Sequence, residues 1–216
     1  MQNKNKFKII YKPNRKNNPI KSPVLFLDRD GVIIEDVHYI NDPNKVKLCV
    51  GARKLIRKFY KNNIAIVIIT NQSGISKGLI TWADYISVTK SMIEKLGNPN
   101  PISAIYANSY LSDFPRTNWR KPNPNMIFQA IKDLNLDIKK SILIGDRGSD
   151  ILAGINAGIV NLISVETGYG FNEKNKILKI LNEEINYPEK KSSHNIFFIE
   201  NLNKFPYELL EIEDNK

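Results

Sequence analysis

The stretch VLFLDRDG, residues 24–31, decides how this chain is read. Four apolar residues run without interruption into Asp28. A run this short, with no polar alternation and with Pro23 before it, reads as a strand buried on both faces. Gly31 lets the chain turn sharply after it, so that Asp30 can reach back over the strand end. A doubly buried strand needs parallel neighbours and helices on both sides.

The chain supplies both. Residues 51–61 place Ala52, Leu55, Ile56 and Phe59 on one helical face, and IAIVIIT (64–70) is a second buried strand. Thr81 opens a helix with Asp84 as its capping-box partner and Gly97 as its stop, with Trp82, Tyr85, Ile86, Ile93 and Leu96 as its apolar stripe. ISAIYA (102–107) is a third strand; Asn123 is expected to cap the next helix and Pro124 to open it, with Met126, Ile127, Ala130, Ile131 and Leu134 facing inward. SILIGD (141–146), a helix from Ser149 to Ala157 closed by Gly158, and the strands 159–165 and 195–200 complete the alternation. Residues 171–192 read as a polar helix and loop. The fold class is therefore α/β, one Rossmannoid domain with a mostly parallel sheet and helices on both faces.

Composition narrows the function classes. The 216 residues are 42% hydrophobic and 25% charged, which excludes a disordered or fibrous chain. The longest apolar run, Ile64 to Ile69, is far short of the roughly 18 residues of a membrane helix, and the basic first residues lack the apolar core of a signal peptide. A cytoplasmic protein without membrane partners is expected. Cys49, the single cysteine, excludes an internal disulfide and reads as a small buried hydrophobe; with His38 and His194 it makes no zinc cluster. The net charge is +10, but residues 1–22 hold six lysines and Arg15 with no acid, leaving about +3 for the rest. That basic extension is expected to be flexible, with residues 23–216 as the folded domain and no nucleic-acid partner required.

Ligands of an open parallel sheet bind beyond the carboxyl ends of its strands. The first strand ends in Asp28-Arg29-Asp30-Gly31, the second in Thr70-Asn71-Gln72-Ser73 and the fourth in Gly145-Asp146. Asp28, Asp30 and Asp146 in a small space would repel one another without a cation, and oxygen-only ligands favour Mg²⁺. A carboxylate beside Mg²⁺ is a competent nucleophile toward phosphorus, and a second can protonate the leaving oxygen and then activate water. Thr70 can hydrogen-bond a phosphoryl oxygen, and a lysine held by Pro122 can neutralise charge on it. Each of these residues alone has a plainer reading: turn-forming acids for Asp28 and Asp30, a backbone-satisfied threonine, a solvated Arg120-Lys121 pair, a helix-start acid for Asp150.

The ordered set resembles the haloacid dehalogenase superfamily of aspartate-nucleophile phosphatases: DxDG after the first strand, Thr after the second, Lys before a helix, GDxxxD after the fourth. FLDRDGVI, TNQSGISKG, RKPNP and GDR-x-SDI-x-AG, with Arg29 between the two aspartates, resemble the branch of D-glycero-D-manno-heptose 1,7-bisphosphate 7-phosphatases and histidinol-phosphate phosphatases. The resemblance implies Asp28 as nucleophile, Asp30 as acid/base, and Thr70 and Lys121 steadying the phosphoryl group. It implies Mg²⁺ on Asp28, the carbonyl of Asp30 and Asp146, with Asp150 supporting them. Asn71, Gln72, Ser73, Arg120 and Arg147 would meet substrate, as would the stretch from Asp36 to Tyr39.

The favoured substrate is a heptose 1,7-bisphosphate losing its 7-phosphate, on the way to a nucleotide-activated heptose for surface polysaccharide. Histidinol phosphate, a polynucleotide 3′-phosphate and a non-catalytic scaffold are the alternatives, and a monomer is expected. About 40 residues separate Asp30 from Thr70 and about 50 separate Thr70 from Lys121, too few for an inserted cap domain. Members of this branch commonly carry zinc ligands before the RKP motif; the matching positions here are Ala107, Ser109, Thr117 and Trp119, so no zinc is predicted. The loop from Ser109 to Trp119 is expected to be held by packing of Tyr110, Phe114 and Trp119.

Overall fold

The apolar run at 24–27 forms the central strand of a seven-stranded sheet. The structure is a computed structural model that describes residues 4–11, 22–185 and 194–210. Along the chain lie β1 (Lys6–Ile10), β2 (Val24–Leu27), α1 (Ala52–Lys61), β3 (Ala65–Asn71), α2 (Ser73–Ser76), α3 (Trp82–Leu96) and β4 (Ala104–Asn108). These are followed by α4 (Asn125–Leu134), β5 (Ile142–Gly145), α5 (Gly148–Ala157), β6 (Asn161–Val165), α6 (Gly170–Ile185) and β7 (Asn195–Ile199). The strand order is β1-β4-β3-β2-β5-β6-β7, parallel throughout except for antiparallel β1 at one edge. No helix among the described residues is long and apolar enough to cross a membrane.

Side chains alternate between two cores, as a pleated strand covered on both faces requires. Leu25, Leu27, Ile66 and Ile68 pack against Leu55, Ile56 and Phe59 of α1 and Val88 and Met92 of α3. Val24, Phe26, Val67 and Ile69 pack against Met126, Ile127 and Ala130 of α4, Ile151 of α5 and Ile177 of α6. Cys49 is buried in the first core and its thiol is pushed up to about 12 by burial. The chain runs from β2 outward through β3 to β4, returns to β5 beside β2, and continues outward through β6 to β7. The sheet thus reverses its winding between β2 and β5, which is where a doubly wound sheet opens its ligand crevice.

Four expectations are corrected. Residues 6–10 of the basic extension are a strand: Lys6 pairs with Asn108 and Ile10 with Ala104. Phe7 on β1 stacks on Trp82 at 5.5 Å and meets Tyr85 edge-on, which gives this short strand an apolar anchor. Residues 12–21 lie outside the described residues, as do 186–192 of the polar segment after α6. On α3 the buried face centres on Tyr85, Val88, Thr89, Met92 and Leu96; Trp82, Ile86 and Ile93 flank it half-buried. The Thr81–Asp84 capping box is present. Asn123 does not cap α4, because its amide donates to the Asp113 carbonyl and Pro124 takes the cap position.

Phe114 holds nothing: it is 80% exposed. The loop it lies on is held by asparagine amides together with the expected packing of Tyr110 and Trp119. Asn118 donates to the Ser112 carbonyl (2.9 Å), and Asn125 donates to the carbonyls of Arg116 and Asn118 (both 2.7 Å). Trp119 is buried against Tyr106 and Tyr110 packs on the same core.

Candidate active site

The register of the three central strands brings the predicted residues to one rim. Leu27 lies opposite Ile68 and Ile144, so Asp28, Thr70 and Asp146 emerge side by side at neighbouring strand ends. Asp28 is tied to the sheet by its own N–H, which donates to the Ile144 carbonyl (3.0 Å). Lys121 is buried and donates from Nζ to Asp28 Oδ1 (2.8 Å) and the Ile69 carbonyl (2.9 Å), and pairs with Asp150 Oδ1 at 2.6 Å. Burial opposes the Lys121 charge, but Asp150 and Asp28 more than restore it, so its pKa is raised.

Asp28, Asp146 and Asp150 are all buried, and each offers an oxygen within 4.8 Å of the others'. One lysine faces three carboxylates, which, all ionised, would leave this pocket of low dielectric two negative charges in excess. Burial, only partly offset by Lys121, pushes Asp28 up to about 6; burial together with Asp150 and Asp28 pushes Asp146 up to about 8. Asp146 Oδ2 accepts the Tyr169 N–H (2.8 Å), while its Oδ1 is buried with no hydrogen-bond partner. An unpaired buried carboxylate oxygen beside two more carboxylates is the donor set of a hard cation such as Mg²⁺. Gly31, at φ 82°, is needed here because a Cβ would collide with Asp146 Oδ2.

Asp30 stands apart from this cluster. Arg29 donates to both of its oxygens from Nε and Nη2 (2.8–3.2 Å), and Gln72 Nε2 donates to Oδ2 (2.7 Å). The same Gln72 amide donates to Thr70 Oγ1 (2.9 Å), and its Oε1 accepts from Arg29 Nη2 (3.2 Å). Gln72 thus braces Asp30 and Thr70 from within the protein, although it also lines the cleft. Arg29 is 1% exposed and lies 4.7 Å from the ring centre of Tyr85. Asn71 likewise serves the framework: its amide donates to the Lys121 carbonyl (3.2 Å) and its Oδ1 accepts the Lys121 N–H (3.1 Å).

Above this floor lies a cleft of about 320 Å³. Ser73, Arg120, Arg147, Asp36 and Tyr39 line it as expected from the sequence. His38, inside the stretch from Asp36 to Tyr39, lines it as well; Lys77 and Tyr169 also line it and were not singled out. Lys77 sits within the TNQSGISKG motif. Tyr169 follows β6, whose carboxyl end shares the rim, so the strand-end rule reaches it. The mouth is laced by Lys77 Nζ donating to the Tyr39 hydroxyl (2.9 Å), Tyr169 Oη bonded to His38 Nδ1 (3.1 Å) and Arg147 over the Tyr169 ring (3.7 Å). Arg147 also pairs with Asp36 at 3.5 Å. The mouth therefore carries Lys77, Arg120 and Arg147 with Asp36, while the other lining carboxylates, Asp28, Asp30 and Asp150, belong to the floor.

Comparisons with known proteins place the chain in a family. Residues 118–179, which span Lys121, Asp146 and Asp150, match the HAD-hydrolase-like family model. The D-glycero-alpha-D-manno-heptose-1,7-bisphosphate 7-phosphatase of Campylobacter jejuni is 36% identical over 168 residues, 76% of this chain and 96% of that protein. The D-glycero-beta-D-manno-heptose-1,7-bisphosphate 7-phosphatase of Mesorhizobium japonicum is 34% identical over 65% of this chain and 68% of that protein. The crystal structure of the D,D-heptose 1,7-bisphosphate phosphatase of B. bronchiseptica, complexed with magnesium and phosphate, shares the fold at TM-score 0.65 and 23% identity over 76% of this chain and 99% of that one. The strand-end aspartates, the buried lysine and these likenesses lead to one conclusion: the chain belongs to the haloacid dehalogenase-like hydrolases and is a phosphatase of that family.

Proposed function

We propose that the chain is a Mg²⁺-dependent phosphomonoesterase that works through an aspartyl-phosphate on Asp28 and removes the 7-phosphate of a D-glycero-D-manno-heptose 1,7-bisphosphate. The observation that carries this reading is Asp28 itself, a strand-end carboxylate 2.8 Å from Lys121 Nζ, on the floor of a cleft with three cations at its mouth. Asp28, the main-chain carbonyl of Asp30 and Asp146 would hold Mg²⁺, with Asp150 behind them, and the bound ion would offset carboxylate repulsion and phosphoryl charge.

A carboxylate oxygen of Asp28 attacks phosphorus in line, and the bond from phosphorus to the sugar oxygen breaks as Asp30 delivers a proton to that oxygen. Asp30 then takes a proton from water as the water oxygen attacks the same phosphorus, releasing inorganic phosphate and restoring Asp28. Lys121 and Thr70 stabilise the charge on the transferring group throughout. Arg29 and Gln72 fix where the Asp30 carboxyl sits between these steps.

The rim favours a second anion on the substrate. Lys77, Arg120 and Arg147 suit the distal phosphate of a sugar bisphosphate and match poorly the cationic amine of histidinol phosphate. A polynucleotide 3′-phosphate finds less support, because Lys8 of β1 is paired with Asp133 (3.0 Å) and Lys6 lies over Trp119 (5.0 Å). The relatives named above add weight to the heptose reading. Phosphate release with Mg²⁺ from both heptose 1,7-bisphosphate anomers, histidinol phosphate, fructose 1,6-bisphosphate and a 3′-phosphorylated oligonucleotide tests it. A preference for a heptose bisphosphate is expected; a higher kcat/KM for histidinol phosphate or the oligonucleotide would overturn the substrate assignment.

A further inference from the structure

The basic extension has no task in the proposed chemistry, and Asn5, just before β1, gives it one. We propose that Asn5 is a positioning residue for the substrate rim, acting through Ser109 and Ser76 on the two segments that present Arg120 and Lys77. The inference rests on the reading of those two cations as holding the distal anion of the substrate.

Two segments meet at Asn5. Its main-chain carbonyl accepts the Ser109 N–H (3.0 Å), and its Oδ1 accepts the Ser109 hydroxyl (2.9 Å). The Ser76 hydroxyl in turn donates to Ser109 Oγ (3.0 Å) and lies 3.2 Å from Asn5 Oδ1. Ser109 is buried and begins the loop that runs to Arg120. Its neighbour Tyr110 offers the carbonyl that accepts Arg120 Nη1 (2.8 Å). Ser76 closes α2, the single turn that starts at Ser73 and hands on to Lys77. A shift of Ser109 therefore moves the acceptor that aims Arg120, and a shift of Ser76 moves the turn beneath Lys77. Asn5 is itself held in place: the Trp82 indole donates to the carbonyl of Lys4 (3.0 Å), and Phe7 stacks on Trp82. Lys6, over the Trp119 ring, touches the residue next to Arg120.

None of these contacts reaches Asp28, Lys121 or Asp146, so the tether governs binding of the distal group and leaves the chemical step alone. Asn5→Ala removes the Oδ1 acceptor while keeping the main-chain bond. The expected result is a KM for heptose 1,7-bisphosphate raised about 3- to 10-fold, the span of one hydrogen bond, with kcat unchanged and p-nitrophenyl phosphate turnover unaffected. Asn5→Asp keeps an acceptor oxygen and should restore the KM. A second readout does not depend on the substrate: Arg116 lies exposed on the tethered loop, so trypsin should cut there faster in folded Asn5→Ala than in the wild type. Unchanged cleavage at Arg116, or equal losses on both substrates, would overturn the proposal. Faster cleavage with a wild type that shows no preference for the bisphosphate would leave the tether standing and refute the substrate reading alone.

Discussion

Gln72→Leu separates the task of Asp30 from the rest of the site. The substitution keeps the bulk of a side chain that is 5% exposed and deletes three polar contacts: to Asp30 Oδ2 at 2.7 Å, Thr70 Oγ1 at 2.9 Å and Arg29 Nη2 at 3.2 Å. A hydrogen bond to a charged group contributes about 1.5–3 kcal/mol, and the bond to the half-buried Asp30 is the short one. If that energy sets the carboxyl's position, the proton-transfer steps slow by about 10- to 150-fold, less than the full 10²–10⁴ that general acid–base catalysis typically supplies, as expected when the acid is misplaced and not removed. The assay compares leaving groups. A sugar alkoxide cannot leave without a proton, whereas p-nitrophenolate can, so the first step should slow for heptose bisphosphate and hardly change for p-nitrophenyl phosphate. The second step needs Asp30 in both cases, so p-nitrophenyl phosphate should show a burst of one equivalent followed by slow turnover. Equal loss on both substrates without a burst would refute the positioning argument, and a folded variant of unchanged activity would refute it outright.

Other outcomes follow from the same geometry. Gly31→Ala places a Cβ at φ 82° against Asp146 Oδ2; the backbone alone costs about 1–2 kcal/mol, and phosphatase activity should be lost with a measurable fall in Tm. Asp28 and Asp146, pushed up to about 6 and about 8, hold more protons folded than unfolded; the stability they contribute in metal-free protein is full below about pH 4 and is lost as pH rises through those values. Melting in EDTA should therefore show Asp146→Asn more stable than wild type at pH 8, with the difference shrinking as pH falls and closing only below about pH 4; a destabilised variant at pH 8 would contradict the excess of buried negative charge. Phe114→Ala, at a side chain 80% exposed, should change stability by less than about 0.5 kcal/mol. Trp119→Ala, in the core beside Tyr106, should cost about 3–5 kcal/mol by urea denaturation.

Much of this site was legible because it sits at strand ends. A continuous apolar run fixes a doubly buried strand, the alternation of strands and helices fixes a parallel sheet, and Asp28, Thr70 and Asp146 then have nowhere to go but one rim. What escaped the sequence depends on side-chain geometry. KFKII reads as a charged tail because only its packing partners, Trp82 and Tyr85 on a helix some 75 residues away, make it a strand. Gln72 and Asn71 line the cleft as read, but their bracing of Asp30, Thr70 and Lys121 is invisible in the sequence, because an amide beside a reactive threonine looks the same whether or not it also holds a neighbour. Phe114 reads as a packing residue because hydrophobicity does not say that around it four asparagines, with Tyr110 and Trp119 packed at the loop's ends, hold the loop. His38 and Tyr39, two consecutive residues at positive φ, carry no sequence signal of that conformation at all.

The claim on which the account turns is that Asp28 carries the phosphoryl group. Its most direct test is rapid acid quench of Asp30→Asn with Mg²⁺ and p-nitrophenyl phosphate, followed by peptide mass spectrometry. The account predicts one phosphoryl group on the peptide spanning Asp28, removable by hydroxylamine and absent from the Asp28→Asn, Asp30→Asn double variant. Release of p-nitrophenol with no phosphoryl group on Asp28, or appreciable turnover by Asp28→Asn alone, would contradict it.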